Sequence, residues 1–522
     1  MNNFSQTQCV TKKVVSSRHG VVSSQHKLAS LAGAKVLEQG GNAVDAAIAT
    51  SFALGVVEPW MSGMGGGGFM IVNMSGGTEP SKVVEFGMRS PAGLKVEDYP
   101  LSGHGICDDL FPWPNVVDSK NVTGGSAVAV PGQVDGMRVA YQQFASKEWR
   151  DLLQPSIELA RKGLLVDWYA QLMITPVAEQ LAKFPKSKTT FLTDSGHPKS
   201  SAWTAFNQQR CSLDSLADSL ELIATQGPRA FYEGRMAEHM VQEVQQAGGC
   251  LSLDDLKTYR ADIVDCLSTN YKEASLCLTP RYSAGPSMKM MLEKLENHRF
   301  GGNSPGAEDY YAYAKSLRET YQYRLDNDGD TTEPDDACTT HFSVVDADGN
   351  MVAVTQTLLS VFGSRLMLPS SGVLMNNGIM WFDPEQGKPN SLGPNKNCLS
   401  NMCPVIGRVG DTSFALGSSG GRKIFPAVAQ ITSLLVDYGM SIEQAFHTPR
   451  IDVSGVDRVV IDDKLPVAIR DRLAEEFITV SAPRTCYPYN FACPSAVARV
   501  VNTNYGMTEI MSAWSDSVAQ SA

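Results

Sequence analysis

The sequence lacks several features that mark particular classes of protein. It has no run of five or more Lys or Arg residues, and its formal charge is −11, from 44 Lys and Arg against 55 Asp and Glu. Because phosphate backbones are bound by clustered cations, this composition argues against a nucleic-acid partner. No stretch approaches the ~18 consecutive apolar residues that a bilayer demands, so we expect no membrane-spanning helix and no membrane partner.

Signals for export, metals and nucleotides are also missing. Residues 1–20 contain neither an apolar core nor a small-residue cleavage site, so no secretory signal is expected. The 11 cysteines form no C-x-x-C pair, which predicts reduced thiols in a cytoplasmic protein. The eight histidines form no H-x-x-x-H, and the glycine run 65–68 is not followed by G-K-[ST]. We therefore expect no metal and no cofactor, and we interpret the glycine run as close backbone packing.

The first two thirds of the chain have mainly helical patterns. The 522 residues are 43% hydrophobic and 19% charged, enough to bury one large fused core. Residues 30–57 have apolar residues at helical spacing with a break at 40–42, which predicts two helices. Helical spacing also dominates residues 150–320. Residues 325–337 are acidic and polar, which predicts a solvated loop.

After this loop the pattern changes to strands. Residues 341–346 and 351–357 alternate apolar and polar side chains on either side of Asp348-Gly349-Asn350, which predicts a β-hairpin. Further expected elements are two strands, at 373–375 and 412–416, and a helix at about 427–438. The chain thus divides into a helix-rich region, 1–338, and a strand-rich region, 339–522.

Thr339 stands at the junction of these two regions, directly after the acidic segment. A threonine hydroxyl is a weak nucleophile by itself. If the chain is cut just before it, the freed α-amine, with an unperturbed pKa of about 7.7–8.0, can act as its general base. Threonine is also common at strand starts, so the position alone leaves both interpretations open.

Residues 417–421 match G-x-S-x-G, the pattern of a nucleophile elbow centred on Ser419. A catalytic triad would then need His447, the sole later histidine, and a preceding acid such as Asp437. Only ten residues separate these two, which leaves little room for the usual intervening strand and helix. The same glycines can instead supply backbone N–H groups to an oxyanion hole, or simply form a tight turn.

Several segments taken together resemble the signature of the γ-glutamyltranspeptidases, over roughly residues 20–500. In chain order they are residues 40–47, 57–59, 62–69, 130–132, 231–234, 339–346, 348–350, 393–396 and 417–421. The resemblance implies an N-terminal-nucleophile hydrolase, built as an αββα four-layer sandwich and synthesised as a proenzyme. It also implies autocatalytic cleavage between Cys338 and Thr339. The resulting large and small chains would stay associated in one fused fold, and further dimerisation remains open.

The same resemblance assigns roles to individual residues. Thr339 is the implied nucleophile, and Thr357 is the threonine that hydrogen-bonds it. Gly420 and Gly421 are the implied oxyanion-hole glycines. The reaction would transfer the acyl group of a small-molecule amide to Thr339 and then to water or another amine.

Departures from the family pattern cluster at positions that recognise the glutamyl group. They are Gly87 in place of an arginine, Leu359 in place of an asparagine, Trp381 in place of an acid, and Asn401 in place of a serine beside Ser400. The segment between 382 and 393 is shortened, so we expect no lid over the site. The predicted substrate-binding residues are Arg89, Trp381, Ser400, Asn401 and Ser419.

We therefore predict an amidohydrolase or acylase of γ-glutamyltranspeptidase type that is not strictly γ-glutamyl specific. One alternative is a glutathione hydrolase or γ-glutamyltransferase in which Arg89 binds the substrate carboxylate. Alternatives of another class are a serine hydrolase using Ser419, and an unprocessed, non-catalytic relative.

Overall fold

The computed structural model describes residues 7, 9–74, 79–107, 113–201, 204, 208–327, 338–455 and 457–521. Its helices are α1 (Lys27–Glu38), α2 (Ala43–Val57), α3 (Gln133–Phe144), α4 (Trp149–Lys162), α5 (Trp168–Ile174), α6 (Ala178–Ala182), α7 (Pro185–Phe191), α8 (Asp214–Gln226), α9 (Arg235–Gln246), α10 (Leu253–Thr258), α11 (Gly285–Leu295), α12 (Ala307–Asn327), α13 (Ile424–Asp437), α14 (Ile442–His447) and α15 (Val467–Ala474).

The strands number 21 in the described residues. They are β1 (Val15–Ser17), β2 (Val21–Ser24), β3 (Gly67–Asn73), β4 (Lys82–Phe86), β5 (Leu101–Ile106), β6 (Pro114–Val116), β7 (Leu164–Leu165), β8 (Arg210–Cys211), β9 (Asp262–Asp265), β10 (Leu267–Tyr271), β11 (Ala274–Leu278), β12 (Cys338–Val345), β13 (Met351–Leu359), β14 (Val405–Val409), β15 (Thr412–Ser419), β16 (Ile451–Asp452), β17 (Val459–Asp462), β18 (Thr479–Ala482), β19 (Cys493–Val500), β20 (Thr503–Thr508) and β21 (Asp516–Ala519).

Two seven-stranded antiparallel sheets form the centre of the molecule. The first sheet has the order β1-β20-β19-β15-β14-β11-β10, and the second has β21-β2-β12-β13-β3-β4-β9. One apolar cluster lies between the sheets, a second joins α1–α10 to the second sheet, and a third joins α11–α15 to the first sheet. These layers confirm the predicted αββα sandwich.

The helix pair before the site forms as its sequence predicts. Helix α1 ends before the glycine break, and Asn42 caps α2 in a capping box with Asp45. Small residues let the two helices approach closely: a Cβ built on Gly33 lies 2.3 Å from Thr50 Oγ1. Every residue of α2 except Gly55 is buried, so this helix forms a rigid support behind the second sheet.

The predicted hairpin is β12 and β13, and its register pairs Val345 with Met351 and His341 with Thr355. Strand β3 lies beside β13, and the glycine run before it permits very close packing. A Cβ on Gly66 would lie 2.1 Å from the Thr357 carbonyl oxygen. The interpretation of these glycines as close backbone packing is therefore confirmed.

Other expectations need correction. Residues 150–320 also contain β7–β11, because strands this short lack a distinctive periodicity. Within the predicted strand 373–375, Leu374 and Met375 form isolated bridges instead of a strand. Helix α12 runs into the acidic segment as far as Asn327, and residues 328–337 lie outside the described residues.

The cysteines, the acidic and histidine side chains and the helices of the described residues share a lack of special features. Ten cysteines in this part of the chain are free thiols. No cluster of three His, Cys, Asp or Glu side chains suited to a metal ion occurs in this part of the chain. No helix there is both long and apolar enough to cross a bilayer.

Candidate active site

Thr339 is the second residue of β12 and lies at an irregularity in the hairpin. Cys338 pairs with Leu359 and Thr340 with Gln356, so β13 contributes one extra residue opposite Thr339. Bulges of this kind change the direction of a side chain and are common beside active sites. Thr339 is buried, and the Thr357 hydroxyl across the hairpin accepts a 2.8 Å hydrogen bond from the Leu359 N–H.

The alternation of side chains along β12 places Thr339 on the same face as His341, toward the first sheet. A Cβ on Gly417 of β15 would lie 2.3 Å from His341 Cε1, so these two strands pack directly on each other. Gln25, which follows β2, donates from Nε2 to Ser419 Oγ at 2.5 Å. The end of β15 therefore lies over the first residues of β12.

The glycines at this end of β15 cannot be replaced without distortion. Gly420 has a φ of 124° and Gly421 a φ of 55°, a region that favours glycine. A Cβ on Gly420 would also lie 2.9 Å from the Ala492 Cα. The turn therefore follows β15 directly and has a backbone conformation that suits glycine.

His341 is part of the framework and cannot exchange protons with a substrate. Its Nδ1 and Nε2 are hydrogen-bonded to Thr355 Oγ1 at 2.8 Å and Ser343 Oγ at 2.9 Å. Complete burial lowers the pKa of His341 to about 3, because the charged imidazolium would be desolvated. The ring therefore binds a proton only weakly and both of its nitrogens are already hydrogen-bonded, so it is not suited to act as a general base.

Glu58 is a residue near this strand to which the sequence analysis gave no role. Its carboxylate lies at the end of α2 and accepts a 2.9 Å hydrogen bond from the Thr340 hydroxyl. Burial raises the pKa of Glu58 to about 8, because no solvent stabilises its charge. A glutamate inside the apolar stretch 56–61 was the signal that could have identified it.

The structure does not bring together the candidate serine triad. Ser419 is bound by Gln25, whereas His447 Nδ1 contacts the Glu443 carbonyl at 2.8 Å. Asp437 forms a 2.7 Å ion pair with Lys272. Each of the three residues thus has a different partner, and the nucleophile-elbow alternative loses its geometric basis.

Arg89 lies beside the second sheet, where its backbone pairs with Val130; the Val130 N–H donates to the Arg89 carbonyl at 2.8 Å. Its guanidinium is 5.9 Å from the centre of the Tyr259 ring, and its Nε has no hydrogen-bond partner among the described residues. At Gly87, a Cβ would contact only Phe69, at 4.0 Å, so this position borders open space.

Leu359 and Trp381 both belong to the apolar cluster between the two sheets. Leu359 is nearly fully buried and has a φ of 87°, a strained conformation for a leucine. Trp381 ends a short 3-10 helix and is 4% exposed. Two of the positions that differ from the family pattern are therefore buried apolar side chains.

Ser400 and Asn401 form the remaining predicted substrate-binding pair. Arg324 of α12 donates from Nη2 to the Ser400 carbonyl at 3.0 Å and to Asn401 Oδ1 at 3.5 Å. The Ser400 N–H donates to the Tyr282 carbonyl. This segment is thus attached to the last helix described before β12.

The fold and the buried threonine at the start of a central strand define a class: amide hydrolases or acyltransferases with an N-terminal nucleophile. The family model "Gamma-glutamyltranspeptidase" matches residues 29–336 and 313–518. The chain belongs to the γ-glutamyltranspeptidase family.

Two relatives illustrate the range of this family. The acylase ACY 1 proenzyme of Pseudomonas sp. (strain SE83) is 30% identical over 512 residues, with 91% of this chain and 89% of the relative covered. The glutathione hydrolase proenzyme of Bacillus subtilis (strain 168) is 31% identical over 519 residues, with 88% of this chain and 85% of the relative covered. Among solved structures, the cephalosporin acylase from Bacillus halodurans has the same fold, with a TM-score of 0.86 at 21% identity and 100% and 99% of the two chains covered.

Proposed function

We propose that this chain cleaves itself between Cys338 and Thr339 and then hydrolyses an amide through an acyl-enzyme on Thr339. The observation that carries the proposal is the position of Thr339. It is buried at the start of β12, and β15, which packs on β12 at His341, ends at the Gly420–Gly421 turn. The relatives named proenzymes support an uncut precursor.

In the cleavage step, the Thr339 hydroxyl attacks the carbonyl carbon of Cys338. The C–N bond between the two residues breaks and an ester forms. Water then hydrolyses the ester, which leaves a carboxylate on Cys338 and both a hydroxyl and a free amine on Thr339. This amine supplies the base for turnover, because His341 has a low pKa and both of its ring nitrogens are hydrogen-bonded.

In turnover, the Thr339 amine removes the proton from its own hydroxyl as that oxygen attacks the substrate carbonyl. The N–H groups of Gly420 and Gly421 stabilise the resulting oxyanion. The amine product leaves with the proton, and water or a second amine releases the acyl group. Thr357, across the hairpin, holds the nucleophile in place.

The two products of cleavage would stay associated because their strands alternate within both sheets. In the second sheet, β12 and β13 lie between β2 and β3. In the first, β11 pairs with β14 and β1 with β20. Separation of the chains would break these ladders and expose the apolar clusters.

We propose that the acyl group is not restricted to γ-glutamyl. Leu359 and Trp381 offer no charge to a substrate α-amine, and both lie in the apolar cluster. Loss of a hydrogen bond to a charged group costs about 1.5–3 kcal/mol. An acyl group without the amine avoids that cost, and the similarity to an acylase supports this choice.

A second candidate is glutathione hydrolysis, with Arg89 as the carboxylate-binding residue. The observation that favours this candidate is that the Arg89 Nε atom is buried and has no hydrogen-bond partner in the described part of the chain. The similarity to a glutathione hydrolase supports it as well.

A matched substrate pair separates the two candidates. The γ-glutamyl and glutaryl p-nitroanilides share a terminal carboxylate and differ only in the α-amine. We expect kcat/KM for the glutaryl compound to equal or exceed that for the γ-glutamyl compound. A preference of tenfold or more for the γ-glutamyl compound would instead establish the second candidate.

A further inference from the structure

The face of β12 opposite the reacting threonine carries a buried polar contact. Thr340 points toward the helices, and its hydroxyl donates to Glu58 Oε2 at 2.9 Å. Thr340 is fully buried and Glu58 is 3% exposed. Glu58 forms no ion pair with any other described residue, so the Thr340 hydroxyl is the polar partner that the structure gives its carboxyl group.

The neighbouring strand is attached to the same helix. Gln356, which pairs with Thr340 across the hairpin, accepts a 2.6 Å hydrogen bond from Ser51 Oγ. Its Nε2 donates to the Ser51 carbonyl at 3.1 Å and to Ser62 Oγ at 3.0 Å. Both strands of the hairpin are therefore fixed to α2 and the turn that follows it, directly after the bulge at Thr339.

We propose that Glu58 is a positioning residue for Thr339: through Thr340, it holds the start of β12 in the geometry required for self-cleavage and for turnover. This inference rests on the proposed function. Because Thr339 and Thr340 are adjacent and point to opposite faces, a fixed Thr340 side chain sets the direction of the Thr339 hydroxyl. Glu58 acts from the helix side, so it does not touch the substrate.

The protonation state of Glu58 gives this role a distinctive pH dependence. Burial raises the pKa of Glu58 to about 8, so the group is mainly uncharged at neutral pH. Burial raises the pKa of Tyr489, in the loop before β19, and of Cys493, at the start of β19, and a Glu58 charge raises both further. The nearby Lys423 donates to the Tyr489 carbonyl at 2.6 Å. Ionisation above pH 8 therefore places an uncompensated charge behind β12.

The test follows self-cleavage of newly synthesised proenzyme in a cell-free reaction by intact mass. Cleavage precedes release of the Thr339 amine, so that amine does not contribute to this pH profile. The variants are Glu58→Ala, Glu58→Gln, Thr340→Val and the double variant of Glu58→Ala with Thr340→Val. Asp45→Asn, at the opposite end of α2, is the control for general disturbance of the helix.

We expect Glu58→Ala and Thr340→Val to slow cleavage tenfold or more, and the double variant to be no slower than either. Glu58→Gln keeps an uncharged acceptor, so it should match wild type below pH 8 and exceed it above. In the processed enzyme kcat should fall in Glu58→Ala while KM is unchanged.

Three results would overturn the proposal. They are cleavage of folded Glu58→Ala at the wild-type rate, additive effects in the double variant, and failure of Glu58→Gln to restore cleavage. If Glu58→Ala does not fold, the cleavage rates of Thr340→Val and Glu58→Gln decide whether the proposal stands. If the folded wild-type protein is not cleaved, the proposed function is wrong and this inference falls with it. If the wild-type protein is cleaved normally and Glu58→Ala is cleaved equally fast, this inference alone is wrong.

Discussion

The residues assigned to bond cleavage lie in a polar region, whereas those assigned to binding the acyl group lie in an apolar one. The first region, formed by the start of β12 and the turn after β15, is polar and closely constrained: His341 has both ring nitrogens bonded, and Gly420 has room for no side chain. The second region, around Leu359 and Trp381, is an apolar cluster. The residues assigned to the reaction thus follow the family pattern, whereas several positions assigned to recognition depart from it.

This contrast shows how one chemistry accommodates different substrates. Attack by Thr339 and stabilisation of the oxyanion depend on the amide bond alone and are indifferent to the rest of the acyl group. Recognition depends on side chains at the ends of strands and on short connections, which change without disturbing the sheets. Substitutions in the first region should therefore lower the reaction rate, whereas substitutions in the second should mainly change the substrate preference.

Replacement of the nucleophile should have the largest effect. Thr339→Ala removes the attacking oxygen, so we expect one full-length chain and no measurable amide hydrolysis. Intact mass spectrometry checks the first result and a p-nitroanilide assay the second. Wild type should yield fragments 1–338 and 339–522. A Thr339→Ala protein that still cleaves at this bond would contradict the assignment.

Substitution of Gly420, in the turn proposed to hold the oxyanion, should have the second-largest effect. Gly420→Ala places a methyl group 2.9 Å from the Ala492 Cα and forces alanine to a φ of 124°. Misplacement of one oxyanion donor costs about a hundredfold in kcat or more. The measurement is kcat with thermal stability beside it. Gly410→Ala is the matched control, because Gly410 also has a positive φ but borders open space; an equal loss there would remove the specific role of Gly420.

The apolar recognition region should respond in specificity more than in rate. Trp381→Asp restores an acidic side chain where the family has one, so it should raise the ratio of kcat/KM for γ-glutamyl over glutaryl p-nitroanilide by about tenfold or more. The ratio within one enzyme cancels any general loss of folded protein. Trp381→Phe should leave it unchanged. An unaltered ratio in Trp381→Asp would place amine recognition elsewhere.

The smallest effect concerns the pH dependence of stability. His341 has a folded pKa of about 3, below the ordinary 6.5 of the unfolded chain. Between these values the unfolded state binds more protons, so stability falls as the pH drops from 6.5 toward 3. His341→Gln should flatten this slope in urea unfolding, whereas the exposed His104→Gln should not. A slope identical to wild type in His341→Gln would contradict the buried, neutral assignment.

The elements whose sequence pattern is local were predicted well, and the contacts between distant elements were not. The hairpin β12–β13 follows from alternation and a tight turn, and the break between α1 and α2 follows from Gly40-Gly41-Asn42. The bulge opposite Thr339 depends on how β13 packs against β3, which no local pattern encodes.

The same limit applies to the candidate site. Thr339, Thr357 and the two glycines come from the family resemblance, and their assigned roles stay predictions. Gln25 and Glu58 were assigned no role, because their partners lie 394 and 282 residues away in the sequence. The Arg89 side chain lies over Tyr259, a contact that depends on the connection before β9 and has no sequence signal.

The most direct test of the central claim is to locate the acyl group during turnover. The processed enzyme is mixed with glutaryl p-nitroanilide, quenched rapidly in acid, digested and examined by tandem mass spectrometry. We predict a glutaryl adduct on the peptide that begins with Thr339, located on that residue. An adduct on Ser419, or a full-length chain that turns over substrate without a free Thr339 amine, would contradict the account.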